Sequence, residues 1–288
     1  MRVAITGHKG QLGQQLLQAF ARHEVLGIDV PEHDISAYPA IVETITAYSP
    51  DLVIHAAAYT NVDGCARDPE LAYRINGLGT QNLALACQRC QAPLVYISTN
   101  EVFDGSATEP YVETDTTSAV NPYGRSKLMG EVYIRALLSR YYIVRIAWLF
   151  SPGSNNFPSK ITALARQRGA LAVVTDEVSS PTYAPDLVAA LARLVESERY
   201  GIYHLVNEGL CSRYDFTRAI LAGAGLGHVP VNPILSQDYQ RPSKPPLYAP
   251  LRNLAASQAL GIRLRPWQEA LADFQSQGSG KVCGFSSG

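Results

Sequence analysis

Short, mainly apolar segments alternate with amphipathic segments through the first half of the chain. The apolar segments span residues 3–5, 25–28, 52–54, 94–97 and 143–146, and helical periodicity fills the stretches between them. Strands that are apolar on both faces are typical of a parallel sheet with helices on either side. Because crossovers between parallel strands are right-handed, we predict an α/β fold built on a doubly wound parallel sheet.

Composition and charge indicate which kinds of partner this chain could bind. The 288 residues are 47% hydrophobic and carry a formal net charge of −1, so no overall field attracts nucleic acid or an anionic membrane. No apolar run reaches the roughly 20 residues of a spanning helix, and the N-terminus lacks a signal-peptide pattern. We therefore expect a cytoplasmic protein with no nucleic-acid or membrane partner. Five cysteines, an odd number, do not form the disulfide framework of a small secreted domain.

A glycine-rich loop follows the first apolar segment and opens the first helical one. It reads Thr6-Gly7-His8-Lys9-Gly10-Gln11-Leu12-Gly13. Glycines let the backbone approach a pyrophosphate, and the free N–H groups of a helix N-terminus bind anions. The loop therefore predicts a dinucleotide site, with contacts from Gly7, Lys9, Gly10, Gln11, Leu12 and Gly13.

Asp29 ends the second apolar segment, where a carboxylate can accept hydrogen bonds from adenosine ribose hydroxyls. Such a carboxylate repels a 2′-phosphate and favours NAD, whereas the ammonium of Lys9 could bind that phosphate and favour NADP. The sequence leaves both NADP and NAD open as the cofactor.

The amino-acid composition changes after Trp148, where prolines and glycines become frequent. We predict a dinucleotide-binding domain over residues 1–147, completed by strands near 172–174 and 203–206. Residues 148–276 should form mainly a smaller C-terminal substrate-binding lobe. The Gly/Ser-rich residues 277–288 have little to bury and are expected to form a flexible tail.

Tyr123 and Lys127 follow the fourth apolar segment and are four residues apart. Residues at i and i+4 share one face of a helix, so both side chains should point into one site. A nearby cation lowers the pKa of a phenol, and we therefore expect Tyr123 to be a general acid and Lys127 its partner. Thr99 supplies a hydroxyl that can bind the substrate oxygen receiving the proton.

These motifs resemble those of the extended short-chain dehydrogenase/reductases, as do Ala56-Ala57-Ala58 and Asn76-Gly77-Leu78-Gly79-Thr80. Within that group the chain resembles the dTDP-4-dehydrorhamnose reductase family along nearly its full length. The closer marks are Ala57-Ala58-Tyr59-Thr60-Asn61-Val62-Asp63, Val102-Phe103-Asp104-Gly105, Asn155-Asn156-Phe157, Ser180-Pro181-Thr182, Gly201-Ile202-Tyr203-His204-Leu205, Arg241-Pro242 and Pro266-Trp267-Gln268-Glu269-Ala270-Leu271.

The resemblance implies a Rossmann fold and an NAD(P)H-dependent oxidoreductase that reduces the 4-keto group of a nucleotide-linked deoxysugar. Hydride would come from the nicotinamide and a proton from Tyr123. It also implies cofactor contacts from Ala56, Ala57 and Ala58, with Lys127 holding the nicotinamide ribose.

Two positions depart from that family. Asp-Tyr usually follows Ser-Thr, whereas this chain has Asn100 and Glu101. Thr-Asn-Glu instead resembles the Thr-Asp-Glu of the nucleotide-sugar 4,6-dehydratases, where the Asp is the acid and the Glu the base. Gln14 and Gln15 stand where some family members carry a glutamate used in a magnesium-linked dimer, so we predict no metal.

Six residues are candidates for binding the substrate: Asn100, Glu101, Trp148, Asn156, Phe157 and Arg241. Glu101 should lie in the pocket and shape substrate choice without acting as a base. Arg241 could pair with a diphosphate, and Trp148 and Phe157 could line the sugar or base pocket. For Trp148, Phe157 and Arg241 the alternative is ordinary packing or a surface position.

Three functions fit these observations. The first is the nucleotide-sugar 4-keto reductase, and the second is a dehydratase or epimerase that recycles its cofactor. The third is a non-catalytic NAD(P)-binding regulatory subunit, against which the intact Thr99, Tyr123 and Lys127 argue. The sequence also leaves a homodimer open.

Overall fold

The computed structural model describes residues 1–153 and 156–279, so Ser154, Asn155 and residues 280–288 lie outside it. The strands of the described chain are β1 (Arg2–Thr6), β2 (Glu24–Ile28), β3 (Leu52–His55), β4 (Leu94–Thr99), β5 (Tyr141–Ile146), β6 (Leu149–Phe150), β7 (Leu171–Val174), β8 (Val178–Ser179), β9 (Thr182–Tyr183), β10 (Gly201–His204), β11 (Cys211–Ser212) and β12 (Val231–Ile234). The α-helices are α1 (Gln11–Ala19), α2 (Tyr38–Tyr48), α3 (Val62–Arg67), α4 (Pro69–Ala72), α5 (Gly79–Cys90), α6 (Pro122–Leu137), α7 (Phe157–Arg168), α8 (Ala184–Glu196), α9 (Arg213–Gly223), α10 (Leu254–Leu260) and α11 (Trp267–Ser279).

One parallel sheet dominates the fold, with strand order β2-β1-β3-β4-β5-β10. From β1 the chain runs outward to β2 and then returns to β3 on the other side of β1. This reversal opens a crevice at the carboxyl ends of β1 and β3, where ligands of such sheets bind. The predicted doubly wound α/β fold is confirmed.

The central strands are buried on both faces, as their apolar sequences predict. Val3 and Ile5 of β1 pack in one core with α1 and α8, whereas Ala4 packs in a second core with α2 and α5. Because successive residues of a strand point to opposite faces, a single short apolar run contributes to both cores.

Helical periodicity over residues 69–90 predicts one long helix, but the structure interrupts it with a π-helical turn, Tyr73–Leu78, between α4 and α5. Asn76 within this turn donates from Nδ2 to Ser126 Oγ (2.9 Å) and accepts at Oδ1 from the N–H of Tyr59 (2.8 Å). The turn therefore connects the loop after β3 to α6.

Residues 172–174 were predicted to complete the main sheet, and that prediction is wrong. The strand that contains them, β7, instead pairs with β12 in a separate two-stranded sheet. Ala172 is exposed, which distinguishes this strand from the central ones, and Leu171 and Val173 pack in the C-terminal core. The strand predicted near 203–206 does join the main sheet, as its edge strand β10.

The predicted tail also begins later than expected, because α11 continues to Ser279. Gln275 donates from Nε2 to the carbonyl of Ile220 (2.9 Å), so the end of the helix is held against α9. The rest of the predicted tail, residues 280–288, lies outside the described residues.

An aromatic core holds the C-terminal lobe together. Its buried side chains include Phe150, Tyr183, Phe216 and Trp267, and the ring of Phe216 meets that of Trp267 edge-on with 5.6 Å between centroids. Over the described ranges 1–153 and 156–279, no helix is both long and apolar enough to cross a membrane.

Candidate functional site

A cavity of about 780 Å³ opens at the carboxyl ends of the central strands. Most of the residues predicted for the site line it: Gly7, Lys9, Gly10, Gln11, Leu12, Gly13, Asp29, Ala56, Ala57, Ala58, Thr99, Asn100, Glu101, Tyr123, Lys127 and Trp148. One continuous space therefore reaches from the glycine loop to the Thr99, Tyr123 and Lys127 set. Asn156, Phe157 and Arg241 are not among its lining residues.

The three glycines of the loop meet different steric demands. Gly7 has φ +72°, and a Cβ there would lie 2.6 Å from the backbone nitrogen of Ala57. A Cβ at Gly13 would collide with the carbonyl of Gly7, so α1 can pack this closely only with glycine. Gly10 precedes α1, and within the described chain no side chain caps the helix start. This cradle of close backbone and open N–H groups fits a dinucleotide pyrophosphate.

Asp29 lies at the far end of the cavity from Tyr123. Its carboxylate accepts from the N–H groups of Lys9 and Val30, both at 2.9 Å, which fixes its orientation. The Lys9 ammonium instead donates to Glu32 at 2.6 Å and to the carbonyl of Val30 at 2.9 Å. The lysine predicted to attract a 2′-phosphate is thus already paired with a carboxylate.

Local sequence explains where Tyr123 is placed. Asn121 caps α6 by accepting at Oδ1 from the N–H of Gly124 (2.8 Å), and Pro122 follows at the first helical position. A Cβ at Gly124 would collide with the carbonyl of Glu101, so glycine lets α6 approach the end of β4. As a result the Tyr123 phenol lies beside the hydroxyl of Thr99 at the cavity wall.

The pKa of Tyr123 is raised, contrary to the sequence-based expectation. Burial of the phenol is the largest cause, and the charge of Glu101 adds to it, while the Thr99 hydrogen bond partly opposes both. The tyrosine therefore keeps its proton throughout the physiological range. Burial lowers the pKa of Lys127 to about 7, and the charge of Glu131 limits the fall.

A buried ion pair lies beneath this set. Glu131 accepts from Arg145 Nη2 at 2.7 Å and Nε at 3.0 Å, and from the hydroxyl of Ser98 at 2.6 Å. Lys127 lies one turn before Glu131 on α6, and its Nζ is 4.1 Å from the centroid of the Tyr96 ring. The ammonium thus lies over an aromatic face and is influenced by the charge of Glu131.

The two residues that depart from the family pattern have different surroundings. Asn100 is buried, and its Nδ2 donates to Ser179 Oγ (3.1 Å) and to the carbonyl of Ala249 (3.0 Å). Glu101 accepts at Oε2 from Asn121 Nδ2 (2.6 Å), and burial raises the pKa of its carboxyl. Asn100 therefore has a structural role, whereas Glu101 presents an acidic group to the cavity.

Three of the predicted substrate residues do not line the cavity. Asn156 caps α7: it accepts from the N–H of Ser159 (2.9 Å) and donates to the carbonyls of Ser151 and Gly153, both at 2.8 Å. Phe157 lies in the aromatic core, stacked on Phe216 with 5.9 Å between ring centroids. The amide of Asn156 and the ring of Phe157 are thus both used within the protein.

Arg241 was predicted to bind a diphosphate, but its guanidinium is paired with Asp63 and Glu177, each at 3.3 Å. The arginine that lines the cavity is Arg213, which no sequence motif indicated. Its guanidinium carbon lies 3.5 Å from the centroid of the Trp148 ring, at the edge of the C-terminal lobe.

Over the described residues, no group of three or more His, Cys, Asp or Glu side chains is placed to hold a metal ion. In the stretch where a metal-binding glutamate was considered, Gln14 donates from Nε2 to the carbonyl of Lys9 at 3.2 Å.

Comparison with known proteins adds a match to the RmlD substrate binding domain over residues 1–279. Among curated proteins, the chain is 36% identical to the spore coat polysaccharide biosynthesis protein SpsK of Bacillus subtilis, covering 96% of this chain and 98% of that protein. It is also 36% identical to the dTDP-4-dehydrorhamnose reductase of Aggregatibacter actinomycetemcomitans, again covering 96% of this chain and 98% of that protein.

Solved structures of similar proteins carry the same enzyme name. A dTDP-4-dehydrorhamnose reductase from Clostridium acetobutylicum superposes with a TM-score of 0.93 at 37% identity, covering 97% of this chain and all of that one. The enzyme of the same name from Bacillus anthracis, in complex with NADP, gives a TM-score of 0.92 at 34% identity, with 96% and 99% of the two chains covered.

Proposed function

Because the chain belongs to the dTDP-4-dehydrorhamnose reductase family, we propose that it reduces the 4-keto group of a nucleotide-linked deoxysugar with NAD(P)H. The observation that carries this proposal is the single cavity that joins the glycine loop to Thr99, Tyr123 and Lys127. The glycine loop would hold the pyrophosphate of a dinucleotide, and Tyr123 and Lys127 would lie at its nicotinamide end.

When bound, the cofactor supplies the hydride. The residues of this chain bind and orient the reactants and move the proton. The Thr99 hydroxyl and the Tyr123 phenol hydrogen bond the oxygen at C4, and Tyr123 donates its proton to that oxygen as negative charge develops there. The ammonium of Lys127 stabilises the phenolate and holds the nicotinamide ribose.

The nucleotide part of the substrate should lie against the C-terminal lobe. Trp148 lines the cavity wall, and Arg213, stacked on its ring, carries a positive charge for a diphosphate. Glu177 connects Arg241 with Arg213. Its carboxylate is paired with the Arg241 guanidinium at 3.3 Å, and its backbone carbonyl accepts from the N–H of Arg213 at 2.8 Å.

The dehydratase alternative requires an acid beside the basic glutamate. Asn100 stands at that position, and both donor hydrogens of its amide are already used within the protein. The two functions differ in stoichiometry, since a reductase consumes reduced cofactor and a dehydratase returns it. Absorbance of NAD(P)H during turnover of dTDP-4-dehydrorhamnose should fall by one equivalent per product, and a product formed without that fall would refute the reductase.

The charge of Lys127 should appear in the pH profile. Because the pKa of Lys127 is lowered to about 7, the ammonium is present below that pH and lost above it. We expect kcat/KM to fall as pH rises above about 7, while the raised pKa of Tyr123 keeps the proton donor in place. The guanidinium of Lys127→Arg stays charged throughout this pH range. The variant should be less active than wild type, but its kcat/KM should not decline above about pH 7. A wild-type profile that stays level up to about pH 9 would contradict this assignment.

Asp29 should influence the choice of cofactor. We propose that its fixed carboxylate accepts from the ribose 2′-hydroxyl of NADH, a contact that NADPH lacks. Asp29→Ala should therefore weaken NADH binding by about 10-fold and change NADPH binding less, as measured by fluorescence titration. If NADPH loses more affinity than NADH, Asp29 does not contact the ribose.

A homodimer is also part of this proposal. Exposed apolar side chains lie together on one surface: Met129 and Val132 on the outer face of α6 and Leu78 on the neighbouring π-helical turn. Met129 packs over Gly77, so these two elements form one continuous surface that a second copy could cover.

A further inference from the structure

Glu101 is held rigidly beside the catalytic residues. It belongs to the 3-10 turn Asn100–Val102 that follows β4, and its N–H donates to Thr99 Oγ1 at 3.2 Å. Its carbonyl packs against Gly124, the residue after Tyr123. The backbone of Glu101 therefore cannot move without moving Thr99 and the start of α6.

The two carboxylate oxygens of Glu101 are not equivalent. Oε2 accepts from Asn121 Nδ2 at 2.6 Å, and the same nitrogen donates to the carbonyl of Lys244 at 3.3 Å. No residue in the described ranges hydrogen bonds to Oε1, and Oε1 is not enclosed by protein. Since Glu101 lines the cavity, Oε1 faces the space in which the substrate would lie.

We propose that Oε1 of Glu101 accepts a hydrogen bond from the sugar hydroxyl next to the ketone, and so selects 4-keto sugars that carry a hydroxyl at C3. This inference rests on the proposed reductase function. Thr99 and Tyr123 bind the oxygen at C4, so the neighbouring carboxylate of Glu101 reaches a substituent on the next carbon, C3 or C5. In a 6-deoxy sugar C5 bears a methyl group, and only C3 offers a donor.

Charges of both signs surround Glu101. Arg241 and Arg213 lower the pKa of its carboxyl, Glu177 raises it, and Arg241 is itself paired with Glu177 at 3.3 Å. A neutral hydroxyl adds no charge to this set. Chemistry with Glu101 as a base would need the acid partner that Asn100 cannot supply.

Glu101→Gln tests the proposal against two substrates, dTDP-4-dehydrorhamnose and its 3-deoxy analogue. Asn121 should keep the glutamine oxygen, so the amide presents N–H to the cavity and the sugar hydroxyl loses its acceptor. We expect kcat/KM for the hydroxylated substrate to fall by about 10- to 100-fold, mostly through KM. For the 3-deoxy analogue, wild type and variant should agree within about 2-fold.

Three controls make the result specific. Glu101→Met, whose thioether is only a weak acceptor, should show the same selective loss. Glu43→Gln, on the exposed face of α2, should match wild type on both substrates. Binding of dTDP alone should be the same in wild type and both Glu101 variants, which also checks that the site is folded.

Equal losses on the two substrates, no loss on either, or weakened dTDP binding would each overturn the role of Glu101. In those cases wild-type turnover still supports the reductase. If the wild type reduces neither substrate, the proposed function itself fails, and this inference fails with it.

Discussion

Tyr123→Phe is expected to lower kcat by about 10² or more while leaving NAD(P)H affinity unchanged. The substitution keeps the ring and removes only the hydroxyl, which lies beside Thr99 and should carry the transferred proton. Because the pKa of Tyr123 is raised, the phenol holds that proton until a developing oxyanion removes it. Steady-state kinetics and a cofactor titration measure the two quantities separately.

Tyr239→Phe is the matched control, since Tyr239 is an exposed tyrosine outside the cavity lining. It should behave as wild type in both measurements. Unchanged kcat in Tyr123→Phe would remove Tyr123 from the reaction. A loss of cofactor affinity as large as the loss of kcat would assign it to binding instead.

Glu131→Gln is expected to lower the free energy of unfolding by about 3–5 kcal/mol, the usual effect of breaking a buried ion pair. The side chains of Glu131 and Arg145 are 1% and 3% exposed, so the variant leaves a guanidinium buried without its counterion. One nitrogen of that guanidinium, Nη1, has no hydrogen-bond partner in the described chain even with Glu131 present. Urea denaturation at neutral pH measures the difference.

The surface pair Arg2–Glu24 provides the comparison, because its side chains are 41% and 63% exposed. Glu24→Gln should change the free energy of unfolding by no more than about 1 kcal/mol. Similar small changes in both variants would show that the buried pair contributes little and that Arg145 finds water when Glu131 is neutral.

The sheet and the glycine loop could be predicted from sequence because their signals are local. Residues 3–5 are apolar in succession, and the glycine loop follows immediately, so strand, turn and helix are contained within one short stretch. The position of β7 could not be predicted in this way. Its apolar run resembles a central strand, and only its pairing with β12, more than fifty residues later, assigns it to a different sheet.

Some residues of the site could be predicted from the sequence and others could not, for similar reasons. Tyr123 and Lys127 share a helix face, which spacing alone reveals, but the burial that raises the pKa of Tyr123 depends on the packing around α6. Arg213 carries no motif and reaches the cavity only through the packing of α9. Asn156 did carry a usable signal, because an asparagine before Phe157-Pro158 is a typical helix N-cap with proline in the first turn.

Transfer of deuterium from NAD(P)H labelled at nicotinamide C4 to dTDP-4-dehydrorhamnose tests the central claim most directly. Product analysis by mass spectrometry and NMR should find the label on the sugar C4 when one face of the nicotinamide is labelled and not when the other is. One equivalent of oxidised cofactor should accompany each product. A product that gains no label from either face, with solvent hydrogen at C5 and the cofactor returned in its original state, would contradict the 4-keto reductase and favour epimerase chemistry, since a 6-deoxy sugar has no C6 hydroxyl to eliminate.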